Sequence, residues 1–299
     1  MRLFLLWFAT LFAISVFGDE PNIDQVKKKF KGGAYTVTWG TPAIFDVNSE
    51  LEIGNGNGHG FTLGWLRFLP GKDGVEVISL QFKEDKKHYK SKWPLDNEST
   101  VITHTKMKQE TYASLLHDLA IADSAQLEKT PQLKASITSS DFWVYAQLNL
   151  NKKTLLDYNW AGYRSTFDDI AYTKPQAMVA LAQEAIKGLE FKEYVLTEAD
   201  RRWASEKFIR DIKVLSNMQF TWWVKERYII MIGSVGDITA LPALRDFLRM
   251  NAEPTNRLVY YAINAITRIT KKDVRDKPVE EMDLEKTLPK ILELLNEIK

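Results

Sequence analysis

Two octapeptides, Leu241–Leu248 (LPALRDFL) and Leu288–Leu295 (LPKILELL), repeat one apolar pattern 47 residues apart, in a region without strand signals. Pro242 stands over Pro289, Leu244 over Ile291 and Leu248 over Leu295. Between them, Ile232 and Val235 align with Ile266 and Ile269 at an offset of 34, and residues 271–283 (KKDVRDKPVEEMD) absorb the difference. Both offsets lie in or near the period of paired-helix solenoids, where a hairpin with one apolar stripe is stable only against stacked neighbours. Such arrays need about three units. Two to three are present here, so a packed junction with the rest of the chain is expected.

The preceding residues have a different period. AYTVTWG, FTLGWLRFL, GVEVISLQF, STVITHTKM, DFWVYAQLNL and KTLLDYNWAG read as strands, several alternating with period two, and Phe142, Val144, Ala146, Leu148 and Leu150 share one face. PGKDG (Pro70–Gly74) and Asn151–Lys153 read as turns. Two helices interrupt the strands. One carries Tyr112, Leu115, Leu116, Leu119 and Ile121; the other takes Thr173 as N-cap, Pro175 in its first turn and an end at Gly188. This order predicts an α+β domain with an antiparallel sheet and two helices, followed by an all-α domain of helical repeats. The expected division is a signal peptide at 1–18, a polar leader at 19–33, the α+β domain at 34–195 and the helical repeats at 196–299. Thr197 and Asp200 form a capping box at the first of these helices.

VKERYIIMIGSVGDITALPALRDFL (224–248) resembles a HEAT-type repeat of the bacterial PBS-lyase HEAT-like form. Val224-Lys225 opens one helix, Gly236-Asp237 makes the turn, and Leu241-Pro242 begins the next helix. Asn256-Arg257 and Ala262 continue the pattern, with Asn in place of the usual apolar residue, and the last unit lacks the Gly-Asp turn, as a terminal cap would. The resemblance covers residues 198–299. It implies a protein-binding surface, with Lys225, Arg227, Arg257 and Tyr261 on the helices that line it, and it does not imply a bilin lyase.

The first residues, MRLFLLWFATLFAISVFGDEPN, have the form of a secretory signal: Arg2, an apolar run from Leu3 to Phe17, and Val16-Phe17-Gly18 before Asp19. No other segment is apolar enough to cross a membrane, so the mature chain is expected to have no membrane span. Cysteine is absent, which excludes disulfides, thiol chemistry and thiolate metal sites. Without Arg2 the chain carries 39 basic and 39 acidic residues, so no basic field points to nucleic acid. From these features the protein is expected outside the cytoplasm, secreted or in the periplasm of a bacterial envelope.

No catalytic or cofactor motif is complete. GNGNGHG (Gly54–Gly60) fails the G-x-G-x-x-G spacing in all three frames and precedes a strand, so it has no helix N-terminus for a phosphate. It reads as a hairpin loop in which glycine supplies positive φ; were it extended instead, Asn55, Asn57 and His59 would form a polar contact row on one side. His59, His88, His104 and His117 form no metal-ligand pattern, and no metal or other cofactor is expected. Asp157, Asp168 and Asp169 are the carboxylates a glycan or peptide hydrolase would need, yet adjacency in sequence does not make an acid–base pair. If the 141–150 strand is regular, Trp143 and Tyr145 share its second face, either as a platform for a glycan or covered by another element. The leading expectation is a non-enzymatic scaffold that binds a protein partner. The alternatives are a carboxylate-dependent hydrolase and a carbohydrate-binding module.

Overall fold

The computed structural model describes residues 23–30, 35–57, 62–83, 99–129, 141–163, 169–215, 222–251, 257–273 and 283–298. The elements run α1 (Ile23–Lys29), β1 (Tyr35–Trp39), β2 (Leu51–Asn57), β3 (Thr62–Gly71), β4 (Gly74–Lys83), β5 (Ser99–Met107), α2 (Gln109–Ser124), β6 (Ala125–Lys129) and β7 (Asp141–Leu150). They continue as β8 (Lys153–Tyr163), α3 (Asp169–Ala185), β9 (Lys192–Glu193), α4 (Glu198–Leu215), α5 (Trp222–Val235), a 3-10 turn (Ile238–Ala240), α6 (Leu241–Met250), α7 (Arg257–Thr270) and α8 (Leu284–Glu297). An antiparallel sheet region thus precedes a helical region, the α+β order expected from the two periods.

The chain forms two compact units. The first comprises residues 1–49, 108–134 and 168–187; the second comprises 50–107, 135–167 and 188–299. The boundary expected at residue 195 lies within the second unit. In the first, β1 and β6 make a two-stranded antiparallel ribbon, Tyr35 opposite Lys129 and Trp39 opposite Ala125. Helix α2 buries Tyr112, Leu115, Leu116 and Leu119, and packs on α3, which buries Ala177, Met178 and Leu181. The Tyr112 hydroxyl donates to the Ser49 carbonyl at 2.5 Å. Helix α1 occupies part of the stretch expected to be a polar leader: Val26 is buried, and Lys29 reaches Glu184 at 3.6 Å. Helix α3 begins at Asp169, four residues ahead of the expected cap, so Pro175 lies inside it; Gly188, at φ +83°, follows its end.

The second unit is built on a seven-stranded antiparallel sheet in the order β8-β7-β2-β3-β4-β5-β9. The β7–β8 hairpin turns through Asn151 and Lys152 with φ of 47° and 66°, the positive values a two-residue turn needs to match strand twist. Gly74, at φ +114°, closes β3–β4. Strand β2 runs through Gly54-Asn55-Gly56-Asn57, so this part of the glycine stretch is not a loop. Gly54 is needed there for its lack of bulk. Gly54 lies opposite Trp65 on β3, and Gly56 lies opposite Tyr145 on β7. A Cβ on Gly54 would stand 2.7 Å from Trp65 Nε1 and 2.8 Å from the Tyr145 hydroxyl, so the two rings close over bare backbone.

Trp65 and Tyr145 belong to the face of the sheet that receives the C-terminal helices. Leu63, Trp65, Ile78, Leu80, Phe82 and Tyr145 form one apolar core with Phe208 of α4, Tyr228 and Ile232 of α5, and Ile263 and Ile266 of α7. The Trp65 ring centroid lies 4.7 Å from Phe208 and 5.2 Å from Tyr228. A packed junction therefore joins the helices to the sheet, because the helical stripes and this sheet face cover one another. Helix α4 opens on the expected capping box: Asp200 N–H donates to Thr197 Oγ1 at 3.2 Å, and Thr197 N–H to Asp200 Oδ2 at 3.0 Å. Helices α5 and α7 pack closely, with Gly233 against Ala265; a Cβ at 233 would approach Ala265 Cα to 2.8 Å. Gly236 N–H donates to Ile232 O at 2.7 Å, and Asp237 N–H to Ser205 Oγ at 2.8 Å, tying the turn to α4. The echoing octapeptides sit differently in their helices: Pro242 is in the first turn of α6, whereas Pro289 lies inside α8.

Candidate functional site

Helix α6 carries two apolar stripes. Leu241, Leu244 and Leu248 point inward and are buried. Ala243, Phe247 and Met250 stand at i, i+4 and i+7 on an adjoining stripe, along which exposure rises from 9% at Phe247 to 78% at Met250. Facing that stripe, Ile209 and Ile212 of α4 remain half-buried beside the fully buried Phe208. The space between them is an open groove of about 670 Å³, floored by Ile229 and Ile232 of α5. Its polar groups are confined to Thr239, Asp246 and Arg249. Arg245 Nε lies 3.7 Å from the Asp246 carboxylate, which stays 61% exposed, whereas Arg249 pairs with no acid among the described residues. The volume lies within the usual range for ligand pockets, and the walls offer apolar contact with few hydrogen-bonding groups.

A polar layer lies between α4 and the sheet. Lys207, 1% exposed, donates to Gln147 Oε1 and approaches Asp211 Oδ2 at 3.5 Å. Asn149 Nδ2 donates to Glu52 Oε2 at 3.0 Å and to Gln147 Oε1 at 3.3 Å, and the Trp203 indole N–H donates to Glu52 Oε1. The Tyr228 hydroxyl reaches Asp211 at 3.4 Å. Burial lifts the Asp211 carboxyl above its ordinary value, although Lys207 and Arg210 pull it down. Asp157, at the outer end of the layer on β8, is also raised by burial, against Lys207 and the Gln147 hydrogen bond. Alongside, Arg67 lies 4.8 Å over the Trp203 ring and bridges Glu50 at 2.5 Å and Asp200 at 3.0 Å. The Tyr194 hydroxyl, pushed to about 12 by burial and Asp200, joins Asp200 at 3.0 Å. These groups satisfy one another, so the layer orients α4 on the sheet; the groove, by contrast, is open.

Of the residues expected to meet a partner, Tyr145, Arg227 and Tyr261 are buried. Tyr145 is 3% exposed and packs against Trp65, because α4 and α5 cover that face of the sheet; it offers no glycan platform. Arg227 is 6% exposed, with its guanidinium 5.3 Å over the Phe82 ring. Tyr261 is 1% exposed and donates to Glu226 Oε1 at 2.6 Å, since its helix packs alongside α5. Lys225 is half-buried, and that burial lowers its pKa. The Trp143 and Arg257 side chains, Asn57, Asp168, Asp169, His59 and His88 lie, as sites, outside the described residues. Asn55 is half-buried in β2, and His104 is engaged by Glu76 at 3.0 Å. The Ala243, Phe247 and Met250 stripe is not among the residues expected to meet a partner. Its i, i+4, i+7 spacing was its only signal, and the stronger stripe beside it masks that signal.

Among the described residues, no group of three or more His, Asp or Glu side chains has a geometry that would hold a metal ion. Likewise, no described helix is long and apolar enough to cross a membrane. Comparison with protein-family models, curated proteins and solved structures finds no match.

Proposed function

We propose that the chain is an extracytoplasmic, non-enzymatic binding protein of a bacterial envelope, directed there by residues 1–18. Helices α4–α8 serve in it as a short HEAT-like array that presents a protein-binding surface. The observation that carries this proposal is the open apolar groove between α4, α5 and α6. Its support within the array is the stacking of α5 beside α7 and α6 beside α8, with Gly236-Asp237 in the connecting turn. Buried apolar contact with a small polar rim suits recognition of another protein's apolar side chains. The polar layer, whose groups already bond to one another, supplies no open catalytic constellation.

The test compares the mature protein with Ala243→Trp, whose indole fills the groove from a half-buried position. Immobilised at equal density and exposed to envelope extract, the unmodified protein retains a saturable partner that Ala243→Trp loses. Equal retention by both proteins would refute the groove as the binding surface. Turnover of a glycan or peptide substrate by the purified chain would refute the non-enzymatic role.

A further inference from the structure

Resting on that binding role, we infer that the groove takes one amphipathic helix of a partner protein, bearing apolar residues at i, i+4 and i+7 and an acidic residue beside them. The length of the lining selects this shape. From Ala243 to Met250 the axis of α6 rises by seven residue steps, about 10.5 Å at 1.5 Å per step, the length of a two-turn apolar stripe on another helix. The opposite wall, Ile209 and Ile212, is itself helical at i, i+3, so a helix laid between the two walls interdigitates with both.

The exposed margins decide between a helix and a thinner apolar ligand. Met250, 78% exposed, lines the groove, and Ile238, 59% exposed, adjoins lining residue Thr239. An acyl chain lying along the floor leaves both wet. A helix about 10 Å across covers the floor and Met250 together. Charge sets its flank. Asp246 has the Arg245 guanidinium 3.7 Å away, whereas Arg249 has no acid within ion-pair distance among the described residues, so the unopposed charge on the rim is the Arg249 guanidinium. A Glu on the partner helix, one turn from its last apolar residue, pairs with Arg249; a Lys there meets like charge.

The test uses the full mature chain and two fluorescein-labelled 18-residue helical peptides with Leu at positions 4, 8 and 11. One places Glu and the other Lys at the flanking positions. Dodecanoate serves as the competing acyl probe. Anisotropy should show saturable binding of the Glu peptide and at least tenfold weaker binding of the Lys peptide. Met250→Glu should weaken the Glu peptide at least tenfold, and Arg249→Glu should reverse the preference between peptides. Both side chains are exposed, so circular dichroism should remain unchanged. Dodecanoate binding that Met250→Glu abolishes, with neither peptide bound, overturns the helix as occupant while leaving a binding groove. Failure of all three probes to bind, with envelope extract also giving no groove-dependent partner, overturns the inference and the proposed function together.

Discussion

Gly54→Ala puts a single methyl group into the tightest place in the sheet. The added carbon would lie 2.7 Å from Trp65 Nε1 and 2.8 Å from Tyr145 Cε1 and hydroxyl, closer than Cβ atoms approach their neighbours. Neither ring has room to retreat: Trp65 and Tyr145 are 1% and 3% exposed, and Phe208 and Tyr228 pack against Trp65. Overpacking a dense core costs about 1–3 kcal/mol. Replacing glycine recovers about 0.4–1 kcal/mol by restricting the unfolded chain. The net expected loss is about 1–2 kcal/mol, equivalent to about 2–8 °C in Tm for a unit of this size. Urea unfolding followed by Trp fluorescence measures it as a lower midpoint at unchanged slope. Tyr145→Leu removes two of the three obstructing atoms. In a double-mutant cycle the pair should therefore couple favourably by about 0.5 kcal/mol or more. Gly71→Ala is the control, since its Cβ meets Gly74 O at an ordinary 3.4 Å; it should stay within about 0.5 kcal/mol of the unmodified protein. A Gly54→Ala protein as stable as the parent, or a strictly additive cycle, would refute the steric account of the glycine stretch.

Further outcomes follow from the helical half of the same unit. Gly233→Val forces α5 away from Ala265, where even a Cβ would lie 2.8 Å from Cα, and should lower the unfolding midpoint despite valine's better helix propensity, by about 1–3 kcal/mol. A midpoint at or above the parent's would show that these helices are not in close contact. Thr197→Ala removes the hydroxyl that accepts from Asp200 N–H and should cost about 1 kcal/mol in thermal or urea unfolding, whereas Thr197→Ser should retain most of the stability. Burial raises the Asp211 carboxyl, so folding takes up a proton there. Its contribution to stability is fully present below about pH 4 and is lost as pH rises through the raised value. Asp211→Asn should therefore flatten the fall in stability above pH 4 in urea titrations at several pH values, and an unchanged slope would place the linkage elsewhere.

Elements whose physics is local are legible in the residues alone. Short runs with strand chemistry, several alternating with period two, located β1, β3, β4, β5, β7 and β8. Thr197 and Asp200 specified the start of α4 through bonds spanning three residues. Gly236-Asp237 marked the turn between α5 and α6. Tertiary structure alone decided what each element meets. Gly54 reads as a loop glycine until Trp65 and Tyr145, on strands far apart in sequence, close over it. Tyr145 reads as a contact residue until α4 and α5 cover it, and Tyr261 until its own helix packs alongside α5. The groove was hidden for the same reason. Ala243, Phe247 and Met250 line open space because Ile209 and Ile212 stand opposite without filling it. An unfilled space between side chains depends on distances across the fold, and no window of sequence contains those distances.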